Sequence, residues 1–303
     1  MIFYPEGQNE AQQRKFNSLD EVKTAMMNGT VIESRVLLCD SDHNLHVDLG
    51  IIRGMIPRED GAIGIDDGTT RDIALISKVN KPVCFTILGF QRDDFGNISA
   101  ILSRKAVQLG CKRNFIDKLN EGDIINARVT HLEKFGAFID IGAGINALIP
   151  IDMLSVSRIN HPRERLFEGE NIRVVLRKRE PEKLTFSLKE LLGTWKENAV
   201  LFSPGETVTG IVRSIESYGV FVELMPNLAG LAEPCDYLFE GQQVAVYIKS
   251  VLPDKMKIKL VIVEAFEEAE MAGELTYFVN SDHIDRFDYS TANAPKEIST
   301  VFS

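Results

Sequence analysis

A seven-residue block occurs twice in this chain, 83 positions apart: Phe135-Gly136-Ala137-Phe138-Ile139-Asp140-Ile141 and Tyr218-Gly219-Val220-Phe221-Val222-Glu223-Leu224. An internal repeat limits the fold more than composition does, because each copy must be one structural unit. The block reads as a strand, with side chains alternating from its second aromatic onward. Phe138 and Asp140 point one way; Ala137, Ile139 and Ile141 point the other. Two aromatics three residues apart fall on opposite faces of a regular strand. A bulge at Gly136 returns both rings to one face, and the charged Asp140 makes that face a solvated one. The chain therefore displays pairs of rings on the outside of a sheet.

The repeat extends well beyond the block. Gly122-Asp123 and Gly205-Glu206 share the spacing of 83, and Phe167-Glu168-Gly169 pairs with Phe239-Glu240-Gly241 at 72, so the earlier copy has about eleven extra loop residues. Each copy runs strand, aromatic strand, short strand, loop, strand, strand. A weaker third copy lies upstream, where Asn44 to Leu49 aligns with Gly136 to Ile141. There Leu45, Val47 and Leu49 point inward, and His43 and His46 replace the rings. Asn44 replaces the glycine, as the residue best able to share its positive φ. Gly61–Val79 reads as an insertion, helical around Ile73 to Ile76. Ser18 with Glu21 makes a capping box for a short helix ending at Gly29. Leu188, Leu191, Leu192 and Trp195 form a stripe at helical spacing, weakened by Gly193, and 110–120 reads as a short linker. After Ile262 an acidic helix is expected. Residues 275–280 and 285–290 read as short strands or an extended tail docked on the last repeat.

Composition narrows the class. The 303 residues are 44% hydrophobic, enough for ordinary cores. No run of about 18 apolar residues marks a membrane span, and the polar stretch Met1 to Phe16 lacks a signal-peptide core, which favours the cytoplasm. Cys39, Cys84, Cys111 and Cys235 lie far apart without a C-x-x-C pair, so they read as reduced core residues. The net charge of −10 argues against general duplex binding. Residues 268–303 carry 7 acidic and 2 basic side chains, so much of the acid excess is at the C-terminal end.

The pattern G-[DE], a strand, [FY]-G-[AV]-F-[IV]-[DE]-[IL], a second G-[DE] strand and a closing L-S-x-K strand resembles the S-one domain. That domain is the five-stranded OB-type barrel named for the largest protein of the small ribosomal subunit. The resemblance covers about 120–267 well and about 29–109 as a diverged copy. It implies a mainly β fold of three tandem five-stranded OB-type barrels joined by short helices, plus an acidic C-terminal extension. The expected limits are 1–28 for a leader and short helix, then barrels at 29–109, 119–192 and 200–263, then the extension at 264–303. The family binds single-stranded RNA on the face with the aromatics. Carried over by position, that face holds His43 and His46, then Phe135 and Phe138, then Tyr218 and Phe221. The closing lysine falls on Lys105 and Lys189, and in the third copy on Val263, a departure. A histidine common in the family is replaced by Pro150 and Glu233. The middle repeat is therefore expected to hold RNA best.

The chemistry fits the resemblance. An exposed ring captures an unpaired base for about 1–3 kcal/mol whatever its sequence, and tandem sites add avidity. Arg173, Arg177, Lys178 and Arg179 are candidates for backbone attraction; the loop with Arg158, Arg163 and Arg165 either contacts phosphate or is merely solvated. His43 and His46 lack a third metal ligand, and Asp66, Asp67, Asp93 and Asp94 read as solvated turns. No cofactor or metal is expected, and no catalytic constellation stands out. The reading is a non-enzymatic mRNA-binding protein of translation, with the small ribosomal subunit as a further partner. The alternative is a protein-docking adaptor in which RNA contact is minor.

Overall fold

Ser18 opens the first helix, α1 (Leu19–Met27): its hydroxyl accepts the Glu21 N–H, and the Glu21 carboxylate accepts the Asn17 N–H. The computed structural model that shows this describes residues 3–8, 14–92, 96–181, 183–267, 275–294 and 296–302. These residues form two compact units, Met1–Leu119 with Asn126–Arg128 and Asp140–Asn146, and Asn120–Ile125 with Val129–Ile139 and Ala147–Ser303.

In the first unit, β1 (Ile32–Cys39), β2 (Leu45–Asp48), β3 (Arg53–Ile56), β4 (Pro82–Arg92) and β5 (Ile98–Ser103) close a barrel in the order β1-β2-β3-β5-β4. The inward alternation is that of the sequence: Leu45, Val47, Leu49, Val83, Ile87, Ala100 and Leu102 are buried together. The insertion between β3 and β4 carries α2 (Ile73–Ile76), where the apolar run placed it. The stretch read as a short linker at 110–120 begins inside a helix, α3 (Arg104–Asn114), capped by Ser103, in keeping with barrels joined by short helices.

A buried ionic cluster ties the N-terminal segment into this unit. Arg104 donates to both carboxylate oxygens of Glu6, at 2.6 and 3.0 Å, and Lys78 adds a third bond at 2.8 Å. Burial pushes the Glu6 carboxyl up, but the charges of Arg104 and Lys78 outweigh it and hold the group at about 2. Asp140 accepts the backbone N–H groups of Glu6, Gly142 and Gly144. Burial and the neighbouring Glu6 charge push Asp140 up to about 6. Asp140 is thus not the solvated marker that strand alternation made it; it is 2% exposed.

The second barrel comprises β6 (Ile124–Glu133), β7 (Gly136–Asp140), β8 (Asn146–Pro150), β9 (Asn171–Glu180) and β10 (Lys183–Ser187), ordered β10-β8-β7-β6-β9. The third comprises β11 (Thr207–Glu216), β12 (Gly219–Met225), β13 (Leu228–Ala232), β14 (Gln243–Leu252) and β15 (Lys257–Ala265), ordered β11-β12-β13-β15-β14. The stripe Leu188, Leu191, Leu192 and Trp195 is buried, but not on one helix. Gly193 adopts φ +83° and separates a 3-10 turn at Lys189–Leu191 from α4 (Trp195–Ala199). That turn leaves Trp195 3% exposed in the core cluster of the third barrel.

Within the second unit, the junction between these barrels is made of polar groups with satisfied bonds. Asn227, in the turn between β12 and β13, is fully buried; it donates to the carbonyls of Lys189 and Gly193 and accepts the Val156 N–H. Glu223 on β12 accepts from Arg165 and Arg213, and Arg213 also reaches Glu164. Arg165, read from sequence as a phosphate contact or a solvated loop residue, is instead buried in this network.

The C-terminal segment docks more widely than expected. Phe287 and Tyr289 join the core of the third barrel, and the Tyr289 hydroxyl donates to the Asn227 carbonyl at 2.6 Å. Phe302, Tyr277, Val279 and Ile284 pack on Ile124, Val175 and Leu191 around the middle barrel. Residues 286–288 are a strand, β16 (Arg286–Asp288), paired with β17 (Ser299–Val301), whereas 275–280 form none. Of the expected acidic helix, Val263 to Ala265 instead end β15, and 268–274 lie outside the described residues.

Candidate nucleic-acid interface

The ring pairs stand on the outside of their barrels. Phe135 and Tyr218 are 56% and 64% exposed, while Phe138 and Phe221 are half-buried beside them. Ring centroids lie 5.9 Å apart in the first pair and 6.2 Å in the second, both perpendicular. This edge-to-face contact fixes the outer ring against the inner one. A flat base has an open ring face to stack on.

The spacing of three is reconciled differently from the expected bulge. β7 begins at Gly136 and β12 at Gly219, so the first ring of each pair stands in the turn before the strand. The pairing Glu216–Gly219, Ile215–Val220, Ser214–Phe221 is regular, and the irregularity in this hairpin falls on β11 between Val212 and Ser214. The glycine serves a close approach instead: a Cβ on Gly136 would sit 2.3 Å from the Ile149 carbonyl oxygen, and one on Gly219 2.4 Å from that of Ala232. In the first barrel the positive φ, +65°, is at His43 and not at Asn44. Asn44 binds Asp40 and caps the next turn by accepting the Arg58 N–H.

Strand register extends each inner ring into a row of outward side chains. In the third barrel the partners run Ser214, Phe221, Leu231, Lys259 and Ser250 across β11, β12, β13, β15 and β14. In the first barrel they run Leu38, His46, Met55 and Ile101. In the middle barrel Leu148 of β8 is in register with Thr185 of β10. The middle row continues to Lys178 of β9, the partner of Thr185, and the third row carries Lys259, where the closing-lysine position, Val263, had suggested a weak face. The alternation of Lys257, Ile258, Lys259 and Leu260 was the available signal: the lysines are exposed and the apolar residues buried. Lys134, exposed beside Phe135, was likewise missed.

The other sequence candidates are scattered. His46 is half-buried and bonded through Nε2 to Asp40 at 2.8 Å, a bond that holds the Asp40 carboxyl at about 2. His43 is half-buried. Lys105 pairs with Asp66 at 2.9 Å, and Lys189 donates to the Asp152 carbonyl at 3.3 Å. Arg173 and Arg177 are bound within the chain. Arg173 donates its guanidinium to the carbonyls of Val279 and Ser281, and Arg177 lies over the Phe302 ring at 5.7 Å. The face they occupy is covered by the C-terminal segment. His131, on β6, is bonded to Glu133 and Glu168, and these bonds raise its pKa. Among the described residues no group of three His, Cys, Asp or Glu side chains is placed to hold a metal ion, and no helix is long and apolar enough to cross a membrane.

Comparison with known proteins identifies the type of domain. Residues 118–189 match the family model of the S1 RNA binding domain, an RNA-binding and non-enzymatic module. The chain is 30% identical over 276 residues to the small ribosomal subunit protein bS1 homolog of Bacillus subtilis, covering 85% of this chain and 66% of that one. It is 35% identical over 184 residues to the bS1 protein of Staphylococcus epidermidis, covering 55% and 47%. The chain therefore spans from about half to just under two thirds of the length of these relatives. Among solved structures, a multidomain protein with nucleic acid binding domains from Streptococcus pneumoniae aligns over 80% of this chain and 76% of that one at 14% identity, with a TM-score of 0.27.

Proposed function

This chain belongs to the bS1 family of S1-domain proteins, and we propose that it binds single-stranded RNA, mRNA in particular, by stacking bases on the ring pairs of its second and third barrels. It acts in the cytoplasm, in translation, with the small ribosomal subunit as its larger partner. The observation that carries this reading is the exposed edge-to-face ring pair, presented twice at matching positions. A base stacked on each contributes about 1–3 kcal/mol, and two platforms on one chain reinforce each other.

The third barrel takes the larger share, because among the described residues the lysine of its row, Lys259, has no carboxylate partner, whereas Lys178 in the middle barrel's row is paired with Glu180. The test is fluorescence anisotropy with a labelled single-stranded oligonucleotide. Phe135→Ala with Phe138→Ala, and Tyr218→Ala with Phe221→Ala, each lower affinity at least fivefold while circular dichroism is unchanged. Unchanged affinity in both folded variants refutes the reading.

The first barrel supports a second role. Its histidine is held by Asp40, its row is aliphatic, and Leu37, Leu38 and Ile73 are exposed by 62%, 54% and 64%. An adaptor surface for protein fits this barrel better than an RNA platform does. Removal of residues 1–118 then weakens co-sedimentation with small subunits more than it weakens oligonucleotide binding.

A further inference from the structure

The linker that joins the second barrel to the third, residues 188–206, carries a pivot. Gly193 has φ +83° and stands between the 3-10 turn Lys189–Leu191 and α4. Glycine passes readily between backbone conformations, so two barrels joined through it alone would swing. The C-terminal segment from Leu275 to Phe302 bonds the linker on both sides of that pivot. Before it, the Phe278 N–H donates to the Leu191 carbonyl at 2.9 Å, and the Thr300 hydroxyl donates to Glu190 at 3.1 Å. After it, the Trp195 N–H donates to the Tyr289 carbonyl at 3.1 Å. At the pivot itself the Phe278 ring closes over the glycine: a Cβ on Gly193 would sit 2.7 Å from that ring.

The same segment is anchored in each barrel. On the middle barrel, Ile124 donates its N–H to the Asp282 carbonyl at 2.8 Å, and Ile284 donates to the Gly122 carbonyl at 3.0 Å. The Arg173 N–H meets the Tyr277 hydroxyl at 3.1 Å. On the third barrel, Phe287 and Tyr289 enter the core cluster, and the Thr291 hydroxyl donates to the Pro253 carbonyl at 3.0 Å. Between these anchors the segment is closed on itself by the pairing of β16 with β17. Glu190 is fully buried, and among the described residues its carboxylate accepts from the hydroxyls of Ser187 and Thr300 alone. A buried carboxylate that loses a donor is costly, so Thr300 is held in place. Covering the barrels requires no bonds on either side of a glycine; limiting rotation about that glycine does.

We propose that this segment is a clamp: it holds the second and third barrels as one rigid body and so fixes the spacing of their two ring platforms. The use of that spacing rests on the RNA-binding reading above; the clamp itself does not. Two platforms held at one separation act as a bivalent site, whose second contact has a high effective concentration. It also needs no further ordering of the protein. With the clamp open, the barrels keep their rings but carry them on a loose tether, and that effective concentration falls. Affinity for a short oligonucleotide, which reaches one platform, is then unchanged, whereas affinity for a longer strand drops.

Two measurements on the full chain test this. The opened variant is Phe278→Ala with Thr300→Val, checked for folding by circular dichroism. Where the pair does not fold, Thr300→Val alone carries both readouts with the same expected direction. Electron spin resonance measures the distance between nitroxides on Lys183→Cys of the middle barrel and Lys249→Cys of the third, both exposed strand positions. Cys39→Ser and Cys235→Ser remove the half-buried thiols. The expected result is one narrow distance in the parent and a distribution about twofold wider or more in the opened variant. Anisotropy then compares a labelled RNA of about 20 nucleotides with a tetranucleotide. The opened variant binds the longer RNA about tenfold more weakly and the tetranucleotide within about twofold of the parent. A broad distribution in the parent, or an equal width in a folded variant, overturns the clamp. A widened distance with unchanged affinity for the longer RNA overturns its link to binding, and so does an equal loss on both RNAs. If the parent binds no single-stranded RNA, the RNA reading falls and the distance measurement alone decides the clamp.

Discussion

Asn227 offers the sharpest test of how the second and third barrels are joined. Its side chain is fully buried and makes three bonds to main-chain groups: Nδ2 to the carbonyls of Lys189 and Gly193 at 2.7 and 2.8 Å, and Oδ1 from the Val156 N–H at 2.9 Å. Alanine removes all three. At about 0.5–1.5 kcal/mol net for each, Asn227→Ala costs roughly 3 kcal/mol. Aspartate is nearly the same size but faces two carbonyl oxygens with no donor. A buried carboxylate there costs roughly 2 kcal/mol more than alanine at neutral pH. Burial raises the pKa of that new carboxyl in the folded state, so the folded protein binds more protons than the unfolded chain. Stability of the aspartate variant therefore falls as pH rises from about 4, and its deficit relative to alanine widens between pH 5 and pH 8. Trp195 is the only tryptophan, is 3% exposed, and has its backbone N–H on the Tyr289 carbonyl at this junction. Urea titration followed by its fluorescence reads the effect directly. A cost under 1 kcal/mol for alanine, or a deficit for aspartate that narrows with rising pH, refutes the account.

Other perturbations separate the remaining contacts. Glu223→Ala leaves Arg165 buried without its carboxylate and costs about 3–5 kcal/mol by the same urea assay. Gly219→Ala forces a Cβ to within 2.4 Å of the Ala232 carbonyl and costs roughly 2–3 kcal/mol, with Tyr218 displaced and RNA affinity lowered in anisotropy. Glu6 is held at about 2 against an ordinary 4.5, so its stabilisation is complete above pH 4.5 and is lost as pH falls toward 2. Glu6→Gln removes that acid limb, seen as a flatter pH dependence of amide-exchange protection in residues 3–8 and 140–146. Asp140, pushed up to about 6, acts with the opposite sign: its contribution declines as pH rises from about 4 to 6.

The three barrels were legible because repetition and period-two alternation act locally and together. Leu45, Val47 and Leu49 point inward as their spacing requires, and both ring pairs lie outside. What escaped depended on groups distant in sequence. Gly136 is needed because the Ile149 carbonyl approaches it, which no local pattern announces. Asp140 has an outward position on its strand, but a segment more than a hundred residues away covers it. Arg173 and Arg177 looked like free cations because their partners, Val279, Ser281 and Phe302, follow by over a hundred positions. The lysines of β15 stand in plain alternation with buried residues, four to six positions before the closing position at Val263.

The acid two residues past the inner ring unites these observations. It is Asp48 in the first barrel, Asp140 in the second and Glu223 in the third, and period two places it on the same face as His46, Phe138 or Phe221. An acid beside a phosphate-binding surface would repel its ligand, yet none of the three is left bare. Asp48 is bonded to Lys15 and the Gly50 N–H, Asp140 to three backbone N–H groups, and Glu223 to Arg165 and Arg213. Each carboxylate thus fastens another part of the chain at one end of the outward face. The rings at the other end stay uncovered. We therefore propose that the repeated acid serves assembly and the repeated rings serve ligand, although the acid and the inner ring project from one strand. Glu223→Gln distinguishes the two roles: it weakens the Arg165 contact and lowers the urea midpoint, while the intrinsic stacking on Tyr218 and Phe221, measured on a short tetranucleotide, changes less than twofold. A tenfold loss of tetranucleotide affinity in the folded variant would place Glu223 in the ligand site instead.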